Sequence, residues 1–280
     1  MNIQELEKIL GRKQYDILSN IHNNIDLSCK KILVTGANGS IGTKLCETLK
    51  SIDATFLSTD IEGNHEYLDI TDFSNVISIM NKYKPDYVIN LAGLKYAPRG
   101  EHETWKTLSI NTIGVKNLLD ASDSNCKVIL ASTCKSCNPE IVYGATKLIA
   151  ERMVLNSKGG VARFYNVVET QGNVFEIWNK IKPDEPIGVV EECNRYFISI
   201  SESVGLLLYT MLSPSGRYII NNLKLRNMKD VADSLYPNRN KKILEKRRGD
   251  RLSERNFATS EHIESYELFD SVLKIKNEHD

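Results

Sequence analysis

The sequence predicts an α/β protein in which a doubly wound parallel sheet is followed by a smaller C-terminal lobe. Short apolar segments rich in β-branched residues alternate with segments of helical periodicity from about Lys30 to Asn166. A glycine-rich turn joins the first strand to the first helix. Beyond Asn166 the alternation breaks into short pieces and a charged tail. We therefore expect a helical lead-in at residues 1–28, the sheet domain at 29–166, and a region at 167–280 that is mainly the smaller lobe.

Each element of the sheet domain has a local signal. The strand segments are apolar runs that end at glycine or at polar residues, and the third run opens with a proline. The helical segments carry apolar residues three and four positions apart. The predicted strands are KKILVTG, TFLSTD, PDYVINLAG, CKVILAST and GGVARFYNV, and the predicted helices are GSIGTKLCETLKS, FSNVISIMNKY, WKTLSINTIGVKNLLDAS and YGATKLIAERMVLNS.

The composition argues against several classes of partner. Lysine plus arginine and aspartate plus glutamate number 36 each, so net charge gives no footprint for nucleic acid. No apolar run approaches the roughly 20 residues of a membrane helix, so we expect no membrane insertion. The charged N-terminus lacks the apolar core of a secretory signal, so we expect a cytoplasmic protein with reduced cysteines. Cys134 and Cys137 form a CxxC pair without a second ligand pair, and we expect no metal site.

The turn after the first strand has the glycine pattern of a dinucleotide-binding loop. Gly36, Gly39 and Gly42 allow the backbone to turn tightly and approach a pyrophosphate, whose charge the following helix N-terminus favours. Asp60 ends the second strand, where a carboxylate can bind the adenosine ribose 2′-hydroxyl. Both neighbours of Asp60 are uncharged and offer nothing to a 2′-phosphate. The segment predicts a Rossmann-type domain that binds NAD in preference to NADP.

A tyrosine and a lysine four positions apart predict acid–base chemistry. Tyr143 and Lys147 share one face of a predicted helix, and a nearby ammonium lowers the pKa of a phenol. Such a tyrosine can take the proton of a hydroxyl while hydride leaves the same carbon. The pair follows a strand that ends in Ser132 and Thr133. The position of Thr133 resembles that of the assisting hydroxyl in short-chain dehydrogenase/reductases, which implies that Thr133 assists Tyr143.

Several segments resemble the UDP-N-acetylglucosamine 4,6-dehydratases of capsular and flagellar sugar biosynthesis, a branch of the extended short-chain dehydrogenase/reductases. The similarity covers nearly the whole chain, and its most specific motifs are the ALKxxP and NPxxxYGATK patterns. The matching segments are ILGR at 9–12, VTGANGSIGTKL at 34–45, NLAGLKYAP at 90–98, NTIG at 111–114, STCKSCNP at 132–139, YGATK at 143–147, RFYNV at 163–167, RYF at 195–197 and RRGDR at 247–251.

The resemblance implies a nucleotide-sugar dehydratase that recycles its NAD. Tyr143 would take the C4 hydroxyl proton during oxidation, and Lys135 would take the C5 proton that the new ketone acidifies. Water would leave from C6, and hydride would return there. The family's aspartate before this lysine is Cys134 here, and we expect its thiol to assist loss of the C6 hydroxyl. A buried thiol that only fills space is the alternative.

The resemblance also implies sets of site residues and a homo-oligomeric protein with a UDP-sugar as its substrate. The expected catalytic residues are Thr133, Cys134, Lys135, Tyr143 and Lys147. The expected cofactor contacts are Gly36, Asn38, Gly39, Ser40, Ile41, Gly42, Asp60, Asp69, Ile70, Leu91, Ala92, Gly93, Lys95, Asn111, Tyr143 and Lys147. The expected sugar-nucleotide contacts are Lys95, Asn166, Arg195, Arg247 and Asp250.

Three other functions stay open at the level of sequence. A UDP-sugar 5,6-dehydratase is one, because a cysteine at the place of Cys134 also occurs in such an enzyme. A UDP-sugar 4-epimerase needs only Tyr143, Thr133 and NAD, and Lys135 argues against it. A non-catalytic NAD-binding regulator has no need of the Tyr143 and Lys147 pair.

Overall fold

The computed structural model describes residues 1–22, 27, 29–246, 252–255, 257–267 and 271–278. The helices are α1 Ile3–Leu10, α2 Ile17–His22, α3 Ser40–Ser51, α4 Phe73–Tyr83, α5 Ala97–His102, α6 Thr104–Leu108, α7 Gly114–Asp120, α8 Val142–Asn156, α9 Val174–Lys180, α10 Ile200–Leu212 and α11 Met228–Leu235. The strands are β1 Lys31–Thr35, β2 Thr55–Asp60, β3 Glu66–Tyr67, β4 Tyr87–Asn90, β5 Lys127–Thr133, β6 Gly160–Phe164, β7 Asn166–Val167, β8 Ile187–Val189, β9 Asn194–Ile198, β10 Gly216–Ile220, β11 Leu225–Asn227, β12 Lys241–Ile243, β13 Glu261–Glu267 and β14 Val272–Asn277.

A large sheet organises the described part of the chain, and its strand order is β13-β14-β10-β6-β5-β4-β1-β2-β3. The strands from β10 to β3 pair in parallel, whereas β14 pairs antiparallel with both β10 and β13. The chain moves outward from β1 in both directions, so the order reverses between β1 and β4. This topology confirms the predicted doubly wound α/β fold.

The two faces of the sheet pack into two hydrophobic layers, as the alternation of side chains along each strand requires. Ile32 and Val34 of β1 belong to the layer that contains α3 and α10, whereas Leu33 belongs to the layer that contains α4, α7 and α8. All three side chains are fully buried. A strand buried on both faces reads as a continuous apolar run, which is the pattern that predicted it.

The remaining strands form a smaller lobe beside the large sheet. One small sheet has the order β11-β9-β7, and the other pairs β12 with β8. The lead-in helix α1 packs here, because Leu6, Ile9 and Leu10 share a core with Phe175 and Trp178. Asn2 caps α1 in a capping box, and Gly11 ends it at a φ of 67°.

The predicted division at residues 166 and 167 stays a prediction, and the structure adds detail on both sides of it. The strands β10, β13 and β14 come from the region assigned mainly to the lobe, yet they complete the large sheet. The predicted helix at 105–122 is interrupted by a π-helical turn over Ser109–Ile113, between α6 and α7. None of the helices in the described residues is both long and apolar enough to cross a membrane.

Candidate active site

A cavity of about 450 Å³ opens at the carboxyl ends of the parallel strands, where the strand order reverses. Ligands of open α/β sheets bind at this position, because loops from neighbouring strands diverge there. The cavity lies between the glycine loop, the ends of β4 and β5, the start of α8 and the segment after β6. The expected cofactor contacts that line it are Gly36, Gly39, Ser40, Ile41, Gly42, Leu91, Gly93, Lys95, Tyr143 and Lys147.

The glycine loop fits the pyrophosphate of a dinucleotide. Gly36 has a φ of +69°, and a Cβ atom there would lie 2.6 Å from the backbone nitrogen of Ala92. A Cβ atom on Gly42 would overlap the carbonyl oxygen of Gly36. The helix α3 begins after Gly39, and no side chain caps its first N–H groups. The residues of this first turn line the cavity, and uncapped N–H groups at a helix start suit an anion of pyrophosphate type.

Asp60 lies at the end of β2 beside the glycine loop, as the sequence predicted. Its Oδ2 accepts a hydrogen bond from the backbone N–H of Asn38 at 2.9 Å, and its Oδ1 accepts one from that of Ile61 at 2.7 Å. Oδ1 also accepts a hydrogen bond from the backbone N–H of Glu62 at 3.3 Å. These bonds fix the carboxylate and leave a further lone pair on Oδ2 for a hydroxyl of a ribose.

Three expected cofactor contacts have structural partners within the protein. Asp69 accepts hydrogen bonds from the backbone and the hydroxyl of Thr71, and Ile70 is buried in the core. The buried amide of Asn111 accepts from Leu94 N at 2.8 Å and donates to Leu94 O at 3.0 Å. Asn111 therefore holds the loop after β4 from the π-helical turn.

Tyr143 and Lys147 occupy neighbouring turns of α8 against the end of β5. The ammonium of Lys147 donates a hydrogen bond to the carbonyl of Ala131 at 3.0 Å, and burial lowers its pKa to about 8. Burial raises the pKa of Tyr143, while the charge of Lys135 and a hydrogen bond with Thr133 oppose that rise. The spacing of Tyr143 and Lys147 predicted that the Lys147 ammonium lowers the pKa of Tyr143. In the structure Lys135 supplies the opposing charge, and burial outweighs it.

Lys135 lies on a 3₁₀ turn after β5 and lines the cavity beside Thr133 and Tyr143. Its Nζ donates to Glu254 Oε1 at 3.1 Å and to Asn166 Oδ1 at 3.3 Å. Burial is the largest influence on Lys135 and disfavours its charge, but the carboxylate of Glu254, together with the ionisable groups of Cys134 and Tyr143, raises the pKa of the lysine above its ordinary value. Lys135 is therefore an ammonium in the free protein at neutral pH.

Cys134 lies between two cavity-lining residues, but its own side chain turns into the core. Its exposed fraction is 1%, and it packs within the hydrophobic layer that contains α3 and α10. Burial raises the pKa of the thiol to about 12, and the charge of Glu254 adds to this rise. The placement favours the space-filling alternative over the expected role at the C6 hydroxyl.

The expected sugar-nucleotide contacts fall into three groups. Asn166 and Arg195 converge on Glu254: Asn166 Nδ2 lies 2.7 Å from Oε2, and Arg195 Nε lies 3.6 Å from Oε1. Lys95 projects from the segment after β4 and donates to the carbonyl of Gln171 at 3.0 Å. Arg247 and Asp250 lie outside the described residues.

Two buried glutamates support the site and were missed by reasoning from sequence. Glu151 accepts hydrogen bonds from the hydroxyls of Ser132 and Ser136 at 2.5 and 2.7 Å, so it braces the turn that carries Lys135. Its spacing of eight from Tyr143 places it on the same face of α8, and that spacing was a usable signal. Glu254 lies in a charged segment without periodicity, and no local pattern in that segment predicts a buried carboxylate.

Comparison with known proteins identifies the group to which this chain is related. The sequence profile of the family described as polysaccharide biosynthesis protein matches residues 58–276. The chain belongs to the polysaccharide biosynthesis protein family. The match runs from β2 to β14, so it includes the catalytic-type residues on the 3₁₀ turn and α8.

Individual relatives are similar to this chain over most of its length. The chain is 31% identical to a probable polysaccharide biosynthesis protein of Bacillus subtilis, over 76% of this chain and 41% of that protein. It is 28% identical to a UDP-N-acetylglucosamine 4,6-dehydratase (inverting) of Campylobacter jejuni, over 85% of this chain and 80% of that one. The chain thus spans under half the length of the Bacillus relative. The resemblance seen in the motifs is confirmed.

A solved structure shares the fold of this family member. The UDP-glucose 4-epimerase of Thermotoga maritima, determined with UDP-glucose, superposes with a TM-score of 0.70 at 18% identity. The similarity covers 80% of this chain and 88% of the epimerase. At this identity the comparison establishes a common architecture, and the chemistry has to be argued from the site.

Proposed function

We propose that the chain is an NAD-dependent 4,6-dehydratase of UDP-N-acetylglucosamine or a related UDP-sugar. The observation that carries the proposal is that Lys135, Tyr143 and Thr133 face one cavity beside a dinucleotide-type glycine loop. Oxidation at C4 needs the tyrosine and the cofactor, whereas elimination needs a further proton-transferring group near C5. The name of the Campylobacter relative supports the substrate class.

The residues of the cavity suit the two proton transfers of this reaction. Tyr143 takes the C4 hydroxyl proton, and Thr133, which is hydrogen-bonded to Tyr143, lines the same cavity. Lys147 holds the end of β5 through Ala131 and lies near the loop at Gly93. Lys135 takes the C5 proton once the adjacent ketone has acidified it. The glycine loop and Asp60 would hold NAD, which would supply a recyclable hydride acceptor, so the protein would need no external oxidant.

The test is incubation with UDP-N-acetylglucosamine and NAD⁺ in heavy water, followed by NMR of the product. We expect a 4-keto-6-deoxy sugar that carries deuterium at C5, because the C5 proton is lost and replaced from solvent. An exocyclic enol ether would instead identify a 5,6-dehydratase. A 4-epimer without deuterium at C5 would identify an epimerase, and bound NAD without turnover would favour a regulator.

A further inference from the structure

Glu254 is a buried carboxylate whose partners include two cavity-lining residues, Lys135 and Asn166. Its side chain is 1% exposed, and its Oε1 accepts a hydrogen bond from Lys135 Nζ at 3.1 Å. Its Oε2 accepts from Asn166 Nδ2 at 2.7 Å and from the backbone N–H of Tyr196 at 3.2 Å. Arg195 Nε lies 3.6 Å from Oε1. A carboxylate held in this way has one fixed orientation.

Glu254, Asn166 and Lys135 are hydrogen-bonded to one another, and Lys135 lines the cavity. Asn166 donates to one oxygen of Glu254, and its own carbonyl accepts from Lys135 Nζ at 3.3 Å. The Lys135 amine is therefore fixed by two hydrogen bonds, one to Glu254 and one to Asn166. Its side chain is still 20% exposed and lines the cavity, whereas Glu254 does not reach it. Glu254 can therefore act on a bound sugar only through the side chains that it holds, and among these Lys135 is the group that can take the C5 proton.

We propose that Glu254 is a positioning residue for elimination: its carboxylate aims the Lys135 amine at the sugar and balances the ammonium charge that forms when Lys135 takes the C5 proton. The inference rests on the proposed dehydratase function. It assigns a task to a residue of the C-terminal region that the family motifs did not mark.

Lys135 can both take the C5 proton and give it to the departing hydroxyl, so the elimination needs no second acid from the protein. The C5–H bond breaks, an N–H bond forms on Lys135, and the electron pair of the C5–H bond becomes the C5=C6 double bond. The C6–O bond breaks at the same time, and the departing hydroxyl takes the proton from the new ammonium and leaves as water. Lys135 returns to the neutral amine, and Glu254 stays ionised throughout.

The charges around Lys135 determine how elimination depends on pH. Glu254 favours the ammonium, Arg195 opposes it, and the ionisable groups of Cys134 and Tyr143 lie near enough to influence it. The proton can be taken only by the neutral amine, so elimination rises with pH as the resting ammonium loses its proton. Removing the charge of Glu254 lowers the pKa of Lys135 and moves this rise to lower pH. It also removes the counter-charge of the new ammonium, so the maximal rate falls.

The experiment compares the wild type with Glu254→Gln, which keeps the size and loses the charge. The titration of Lys135 is followed without substrate by ¹⁵N NMR of lysine-labelled protein, with Lys135→Arg to assign the signal. In Glu254→Gln we expect it to move to lower pH by about one unit or more, which is typical for loss of a close opposite charge. The rise of C5 deuterium incorporation from UDP-N-acetylglucosamine should move with it, and its maximum should fall about tenfold or more.

Two further variants separate positioning from folding. Glu254→Asp keeps the charge, so its Lys135 titration should stay near that of the wild type while its elimination rate falls. Glu202→Gln removes a buried carboxylate that pairs with Arg12 away from the cavity, and it should leave the Lys135 titration unchanged. Thermal melting checks that each variant is folded.

Several outcomes would overturn the inference. An unchanged Lys135 titration in Glu254→Gln would show that the carboxylate does not govern this proton. Equal loss of C4 oxidation, followed as transient NADH, and of C5 exchange would show a general structural role. A wild-type protein that forms no dehydrated product would overturn the proposed function instead, and the substrate-free titration would still decide whether Glu254 controls Lys135.

Discussion

Neutralising Glu151 tests whether a buried ion cluster supports the catalytic turn. Glu151 is fully buried and bonds Arg163 Nη2 at 2.6 Å and Arg217 Nε at 2.9 Å, while Arg163 also pairs with Glu261. Arg217 also pairs with Glu261, so in Glu151→Gln the two buried guanidinium groups lose one of two shared counter-charges. Breaking one partner of such a pair typically costs about 3–5 kcal/mol, because the remaining charge stays desolvated.

The pKa of Glu151 leads to a similar magnitude. Burial raises it, but the two arginines outweigh burial and lower it to about 2, against an ordinary value of 4.5. This interval corresponds to about 3 kcal/mol of stability. Because the folded pKa is depressed, this contribution is complete above pH 4.5 and is lost as the pH falls from 4.5 toward about 2.

The assay is urea unfolding of Glu151→Gln and wild type at neutral pH and again near pH 3. At neutral pH we expect the free energy of unfolding to fall by about 3 kcal/mol, and the difference to shrink in acid, where Glu151 of the unfolded wild type is already protonated. The matched control is Glu47→Gln, because Glu47 pairs with Lys44 at the surface and is 61% exposed. Such pairs contribute about 0–1 kcal/mol. A loss in Glu151→Gln no larger than that of the control would refute the reasoning.

Three further predictions concern the cavity. Tyr143→Phe should bind NAD as the wild type does, yet lose about 100-fold or more of the C4 oxidation measured as transient NADH, because the proton acceptor is gone; near wild-type turnover would exclude the assignment. Cys134→Ala should keep the elimination rate within about threefold and lower the free energy of unfolding by about 1 kcal/mol, since the thiol fills core space. Accumulation of NADH in that variant would instead restore its role at C6. Asp60→Ala should weaken NAD binding and abolish its preference over NADP in calorimetry, because the ribose diol loses its acceptor; an unchanged ratio of affinities would contradict this.

The local spacing of residues was sufficient to predict the framework of the protein. The alternation of apolar runs with helical periods predicted the doubly wound sheet, because each pattern reports which faces of a strand or helix must be buried. The glycine loop and Asp60 lie together because the loop follows β1 and Asp60 ends β2, and these adjacent parallel strands end at the same edge of the sheet. Tyr143 and Lys147 needed only the pitch of one helix.

The tertiary structure alone decided which side chains meet from distant parts of the chain. Glu254 reaches Lys135 across 119 positions of sequence, and no periodic pattern leads to it. Cys134 and Lys135 are neighbours, yet packing turns the thiol into the core and the amine toward the cavity. The pKa of Tyr143 likewise follows burial and the charge of Lys135 more than its helical partner. Desolvation and Coulomb interactions depend on distances in space, and spacing along the chain specifies those distances only within single elements and between adjacent strands.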